Sequence, residues 1–152
     1  IGPVLTNIVN DGTVKHMRRL IGLGFMMALL AWPLLAWSPS LVVVALAVFV
    51  RAMGGSINWT YSNVIIQKIA PDAKLGRMFS LDWFAFHLAV IAASLTHGTL
   101  IDRLGIEHIN WLIWGTLLVA LIPTLIWYWI VTKLESMEAQ EAHIKVASVA
   151  GD

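Results

Sequence analysis

Residues Leu41–Pro71, LVVVALAVFVRAMGGSINWTYSNVIIQKIAP, decide the fold. Ten apolar residues lead into a lone arginine, Arg51, followed by Gly54, Gly55, Asn58, Tyr61, Ser62 and Asn63. Arg51, Gly55, Asn58 and Ser62 are separated by four, three and four residues, which places them on one face of a helix. A cation near the centre of a bilayer costs at least about 2.5–3.5 kcal/mol on insertion scales. It must face protein or a water-filled cavity rather than lipid. The stretch is therefore expected to be a membrane helix with a polar seam.

Composition sets the same environment for the whole chain. Of 152 residues, 59% are hydrophobic and 12% charged, against about 25% charged in a soluble domain. The mean hydropathy is +0.78. A net charge of +1 gives no electrostatic basis for binding nucleic acid. Cysteine is absent, which excludes disulfides and thiolate metal sites. No metal or cofactor is expected. The chain opens Ile1-Gly2-Pro3, without an initiator methionine or a charged leader. It is expected to be a fragment, with a missing N-terminal part of the same chain as its partner.

Outward from the seam, the expected architecture is all-α: four transmembrane helices plus the tail end of a preceding one. Residues 1–9 are the helix tail, and Asn10-Asp11-Gly12 signals a turn. Lys15, His16, Arg18 and Arg19 form a basic loop. The spans are 20–37, 41–69, 78–101 and 111–131; the first is just long enough to cross about 30 Å of hydrocarbon with a little help from its flanks, and the others are long enough by themselves. Gly24 and Ala28 form a small-xxx-small pair suited to close helix contact, and Pro33 sits near the end of its span. Ser38-Pro39-Ser40 is expected to turn tightly, and 71–77 and 102–110 to be loops. Residues 133–152 form a polar, helix-prone tail, with Glu135, Glu138 and Glu141 on one side, expected to be solvated.

Charge sets the orientation. Lys15, Arg18, Arg19, Lys68, Lys74, Arg77, Lys133 and Lys145 fall on one side, and Arg103 alone on the other. The first side, with the C-terminus, is expected to be cytoplasmic. Trp37, Trp111 and Trp114 mark the outer interface, Trp127 and Trp129 the inner one.

At residues 70–82 the chain reads A-P-D-A-K-L-G-R-M-F-S-L-D, and at 98–105 G-T-L-I-D-R-L-G. This pattern resembles the last third of a major facilitator superfamily transporter, especially the bacterial efflux branch, where a P-D-x-x-x-G-R-x-F-S loop joins the tenth and eleventh helices. The resemblance covers nearly the whole chain, from the end of helix eight through helix twelve. Of the basic motif that usually follows helix eight, G-x-x-x-D-R-x-G-R-R, only Gly2, Asn10-Asp11-Gly12 and Arg18-Arg19 are present. The resemblance implies that helices nine and twelve face lipid, that helix ten lines the central cavity, and that helix eleven packs between the two halves. The chemistry of the spans sorts the same way: the first and fourth carry no charge, and the second and third carry Arg51, Asn58, Asp82, His87 and His97.

The implied function is secondary active transport of a small molecule by alternating access, with protons as the coupling ion and efflux as the direction. The implied location is the bacterial cytoplasmic membrane. Candidate substrate or coupling residues are Arg51, Gly55, Asn58, Ser62, His87 and Asp82. At about 1.5 Å of rise per residue, Arg51 lies about 15 Å and His87 about 14 Å from their nearer faces, both close to the midplane, and Asp82 about 6 Å in. Substrate and coupling sites of such transporters lie near the midplane.

Each candidate has a structural alternative: an interhelical donor for Arg51, capping or pairing with Arg77 or Lys74 for Asp82, a satisfied core histidine for His87. His97 is expected near the outer interface. Gly54-Gly55 permits either close packing or a helix break that would expose carbonyls. Two other functions compete. An intramembrane enzyme could use Ser62, Ser80 or Ser94 with His87 or His97, but the sequence carries no nucleophile elbow, H-E-x-x-H or paired-aspartate motif. A small non-transporting four-helix membrane subunit is the other.

Overall fold

The computed structural model describes residues 2–8, 10–38 and 40–150; for 142 and 145–150 it describes the backbone alone. The expected turn at Ser38–Ser40 includes residue 39, and the expected helix tail at 1–9 includes residues 1 and 9, which lie outside the described residues. The chain is helical throughout: α1 (Gly2–Asn7), α2 (Val14–Ala36), α3 (Leu41–Ile69), α4 (Asp72–Leu104), a 3-10 turn (Ile106–His108) and α5 (Ile109–Ala150). Four stretches are long and apolar enough to cross a membrane: Val14–Ala36, Leu41–Ile69, Asp72–Leu104 and Ile106–Glu141. This is the all-α, four-span architecture expected from hydropathy.

Helix limits differ from the expected spans wherever polar residues flank them. The basic segment 15–19 is not a loop but the first turns of α2. Thr13 caps that helix, its hydroxyl accepting from the His16 backbone N–H at 3.2 Å. Asp11 in turn accepts from the Thr13 N–H at 2.9 Å and hydroxyl at 2.8 Å. Likewise α4 begins at Asp72 rather than at 78, directly after Pro71, whose ring and missing N–H suit a helix start. The loop 102–110 contracts to Gly105, at φ +84°, and a single 3-10 turn. Only a residue without a Cβ takes that backbone angle without strain.

The tail is also not a separate segment. The span and the described part of the tail form one 42-residue helix, α5, with Pro123 inside it; residues 151 and 152 of the expected tail lie outside the described residues. Beyond the apolar part, Lys133, Leu134, Glu135, Met137, Glu138, Ala139 and Gln140 all favour helix. Glu135 and Glu138 are not simply solvated. Arg19 Nε reaches Glu135 at 3.0 Å and Arg18 reaches Glu138 at 2.7 Å, tying the end of α5 to the start of α2.

The core lies between α2 and α3. Met17, Leu20 and Ile21 pack against Ile57 and Tyr61, with Trp127 of α5 closing one side. The expected Gly24–Ala28 stripe forms the crossing. A Cβ built on Gly54 would lie 2.5 Å from the Gly24 carbonyl and 3.2 Å from the Ala28 backbone nitrogen. Gly54 therefore serves close packing, and α3 continues through Gly54-Gly55 without a break. Short α1 docks on α3 where Tyr61 donates to Thr6 Oγ1 at 3.0 Å. Trp127 Nε1 donates to the Arg18 carbonyl, and the Tyr128 hydroxyl to that of Gly22, fixing α5 on α2. At the other end Trp37 meets Trp114 edge-on at 5.5 Å.

Helix α4 stands apart. It has no buried residue among those described and touches its neighbours through a few side chains only. In water a 33-residue helix this apolar would not remain uncovered.

Candidate functional site

Two grooves flank α3, and they divide its polar seam. At about 100° per residue, the buried residues Ala47, Gly54, Ile57 and Tyr61 define its packed face. Arg51 and Asn58 lie on the border of that face, and Gly55 lies further round, toward the uncovered side. The four seam residues share an arc, but that arc straddles an edge.

The first groove, about 220 Å³, runs between α2, α3 and α5. Arg51 and Asn58 line it, with Trp32 from α2 and Thr124 from α5. The Arg51 guanidinium lies over the Trp32 ring, 5.7 Å from its centroid, within cation–π range. Among the described residues no carboxylate comes within 4.0 Å of it. Asn58 Oδ1 is buried without a hydrogen-bond partner and fills the space a Cβ on Gly24 would need. A groove of this size and polarity has room for water, which would serve both the guanidinium and the amide.

The second groove, about 670 Å³, lies between α1, α3 and α4. Gly55, Ser56, Trp59 and Thr60 form its floor, with Pro3 and Phe86 at its sides. A Cβ on Gly55 would meet nothing within 4 Å, so this glycine keeps the groove open rather than packing a helix. Trp59 meets Trp83 at 5.0 Å edge-on and Phe86 at 5.5 Å, and His87 stacks on Trp83 at 5.0 Å. His87 Nδ1 lies 2.8 Å from the Trp83 carbonyl one turn back, so its Nε2 is the nitrogen turned away from its own helix.

The six candidates therefore fall into three places. Arg51 and Asn58 share the first groove, Gly55 lines the second, and His87 joins the aromatic cluster beside the second. Ser62 is half-buried, one turn beyond Asn58. Asp82 is half-buried in the interior of α4, ten residues past its start at Asp72. It neither caps that helix nor pairs with Arg77 or Lys74 within 4.0 Å among the described residues.

The aromatic cluster was not among the sequence-derived candidates. Its signal was available: Trp59, Trp83 and Phe86 sit inside spans rather than at their borders, where membrane tryptophans usually lie. His97, expected near the outer interface, is half-buried and bonded to Thr116 of α5. That contact also removes it from any pairing with Ser94. Among the described residues no three His, Asp or Glu side chains converge on a metal-sized site.

The sequence model of the Major Facilitator Superfamily matches residues 1–149. The chain belongs to that family, and with its four apolar spans it is an integral multi-pass membrane protein of membrane transport. Comparison with curated proteins and with solved structures finds no match.

Proposed function

We propose that this chain forms the end of helix eight and helices nine to twelve of a secondary transporter of the efflux branch. In this reading it exports a small molecule by alternating access, at the expense of a proton gradient, across the bacterial cytoplasmic membrane. The observation that carries the reading is the contrast between the two sides of α3. One side is packed on α2 through glycine. The other opens into an aromatic groove, kept wide by Gly55 and bordered by an uncovered α4. A helix that is close-packed on one side and lines a groove at mid-depth on the other is what a substrate pathway requires. The uncovered faces of α4 would be completed by the preceding helices of the same protein.

Within this reading Gly55, with His87 beside it, belongs to the substrate path. Arg51, Asn58 and Ser62 supply the polar border of the same helix, and Asp82 lies toward the inner end of α4. The test is transport by the complete protein in vesicles, with and without an uncoupler, comparing Gly55→Trp with Gly55→Ala. Filling the groove with tryptophan should abolish transport per inserted molecule, and alanine should leave it near normal. Unimpaired transport by Gly55→Trp would sink the groove as the substrate path. Orientation is tested separately by single cysteines: those at Ser40 and Glu107 should label from outside intact cells, and those at Thr13 and Ala73 should not.

A further inference from the structure

Helix α2 turns one narrow stripe outward. Its exposed residues are Lys15, Arg19, Leu23, Met26, Leu30 and Leu34, spaced four, four, three, four and four apart. At about 100° per residue they fall within an arc of about 100°. Charge is confined to one end of the stripe. The first two residues are cations, and the four that follow are apolar.

Tryptophan fixes the depth of the charged end. Trp127 Nε1 of α5 donates to the Arg18 carbonyl at 3.4 Å, and Lys133 lies over the Trp129 ring, 5.2 Å from its centroid. Indole rings collect at the boundary between headgroups and hydrocarbon. Arg19 therefore stands at headgroup level. From Arg19 to Leu30 the helix rises about 16 Å, against about 15 Å for half the hydrocarbon thickness. The apolar stripe is one leaflet long.

Arg19 is arranged to take a second anion. Its Nε and Nη2 donate to the two carboxylate oxygens of Glu135 at 3.0 and 3.3 Å. A guanidinium carries five N–H groups, so the two on Nη1 and one on Nη2 remain, along the end of the fork. The side chain is 60% exposed. Glu135 thus holds the fork in place and leaves its end open, and such an end gives a phosphate two parallel N–H bonds. Lys15, one turn earlier on the stripe, has no carboxylate within 4.0 Å among the described residues. Arg18 is engaged by Glu138. Three cations thus share two carboxylates, and one positive charge is left over.

We propose that this stripe holds one anionic phospholipid of the leaflet at the basic end of α2. Its phosphate lies between the open end of Arg19 and the Lys15 ammonium, and one acyl chain runs along Leu23, Met26 and Leu30. Charge selects an anionic lipid over a zwitterionic one, whose headgroup would bring its own ammonium against Lys15 and Arg19. The site lies outside both grooves and is independent of what the protein carries and in which direction.

The test uses the complete protein reconstituted in vesicles of phosphatidylcholine with a minor fraction of phosphatidylglycerol. It is extracted in mild detergent, and the lipid it retains is weighed by native mass spectrometry. One phosphatidylglycerol per molecule should remain. In Arg19→Gln the phosphatidylglycerol concentration for half-saturation should rise about tenfold. Arg19→Lys keeps the charge and a partner for Glu135 but loses the fork, and should raise it about threefold. Lys74→Gln removes a cation at the start of α4, on the same side of the membrane, and should leave it unchanged. Retention of phosphatidylcholine and phosphatidylglycerol in proportion to their abundance would overturn the site. So would natural affinity in both Arg19 variants, or a loss in Lys74→Gln equal to that in Arg19→Gln, which would mark a diffuse field. Inorganic phosphate added to the vesicles should not displace the lipid, and displacement would assign the site to free phosphate instead. Retention is read without transport, so failure of the efflux reading leaves each of these outcomes intact.

Discussion

Gly24 and Asn58 compete for one space: the position a Cβ on Gly24 would take is occupied by the Asn58 amide, with the Gly54 carbonyl 2.7 Å away. Neither obstacle is a flexible chain end that could swing clear, since one is backbone and the other is held between two helices. Gly24→Ala should therefore destabilise the inserted protein by about 1–3 kcal/mol, the usual cost of overpacking. Gly55→Ala, which meets nothing, should be neutral or slightly favourable. Thermal unfolding in detergent, followed by near-UV absorbance or by protease resistance, separates the two.

Arg51 is held by an aromatic face rather than by a carboxylate. Trp32→Leu should weaken that hold by about 0.5–2 kcal/mol, and Trp32→Phe by less. If the guanidinium serves substrate or coupling, Arg51→Lys loses the planar fork and should impair transport per inserted molecule. Arg51→Ala should abolish it at near-normal membrane abundance. Normal specific activity at reduced abundance would mark Arg51 as a structural donor only.

The Arg18–Glu138 and Arg19–Glu135 pairs join α2 to α5 at their polar ends. Exposed pairs of this kind are screened by water and add little to stability, so Glu135→Gln alone should change global stability little. The local effect should be larger. Hydrogen exchange across 133–141 should accelerate in Glu135→Gln/Glu138→Gln. An Arg19→Glu/Glu135→Arg exchange should restore protection. A double-mutant cycle with no coupling would show that the α5 extension is held by its own helix propensity.

Asp11 carries a small pH dependence. Hydrogen bonds from the Thr13 backbone N–H, then from its hydroxyl, hold its carboxyl below the ordinary value of 3.8. A folded-state value below the unfolded one means the contribution is present above about pH 4 and is lost as pH falls through the folded value. Protection of the Thr13 and His16 amides, taken relative to intrinsic exchange at each pH, should therefore fall at acid pH in the natural protein. In Asp11→Asn it should already be low at neutral pH and change little with acid.

Some of this arrangement could be read from residue numbers alone. Gly24 and Gly54 are equidistant from residue 39, and His97 and Thr116 from the point between Ile106 and Glu107. In an antiparallel helical hairpin with a short turn, such pairs face each other. Hydropathy, by contrast, reports where the bilayer ends and not where a helix ends. That is why the basic start of α2, the start of α4 at Asp72 and the polar half of α5 were expected as loops or tail. Backbone hydrogen bonding continues through all three because Thr13 caps one, Pro71 starts another, and good helix formers carry the third. The seam was visible as a stripe on α3. Its division between two grooves was not, because spacing within one helix does not say which neighbour lies against which edge.

The unbroken α5 has a mechanical consequence. Forty-two residues at about 1.5 Å each make a rod of about 63 Å, roughly twice the hydrocarbon thickness. Roughly half of it is thus a lever arm outside the bilayer, and a tilt of about 10° about the middle of the span sweeps its far end by about 8 Å. The arginine pairs grip this outer arm, so α2 is pulled with it. A rocking motion that shifts the helix little inside the lipid becomes a displacement of about 5 Å at Glu141, where a spin label would record it.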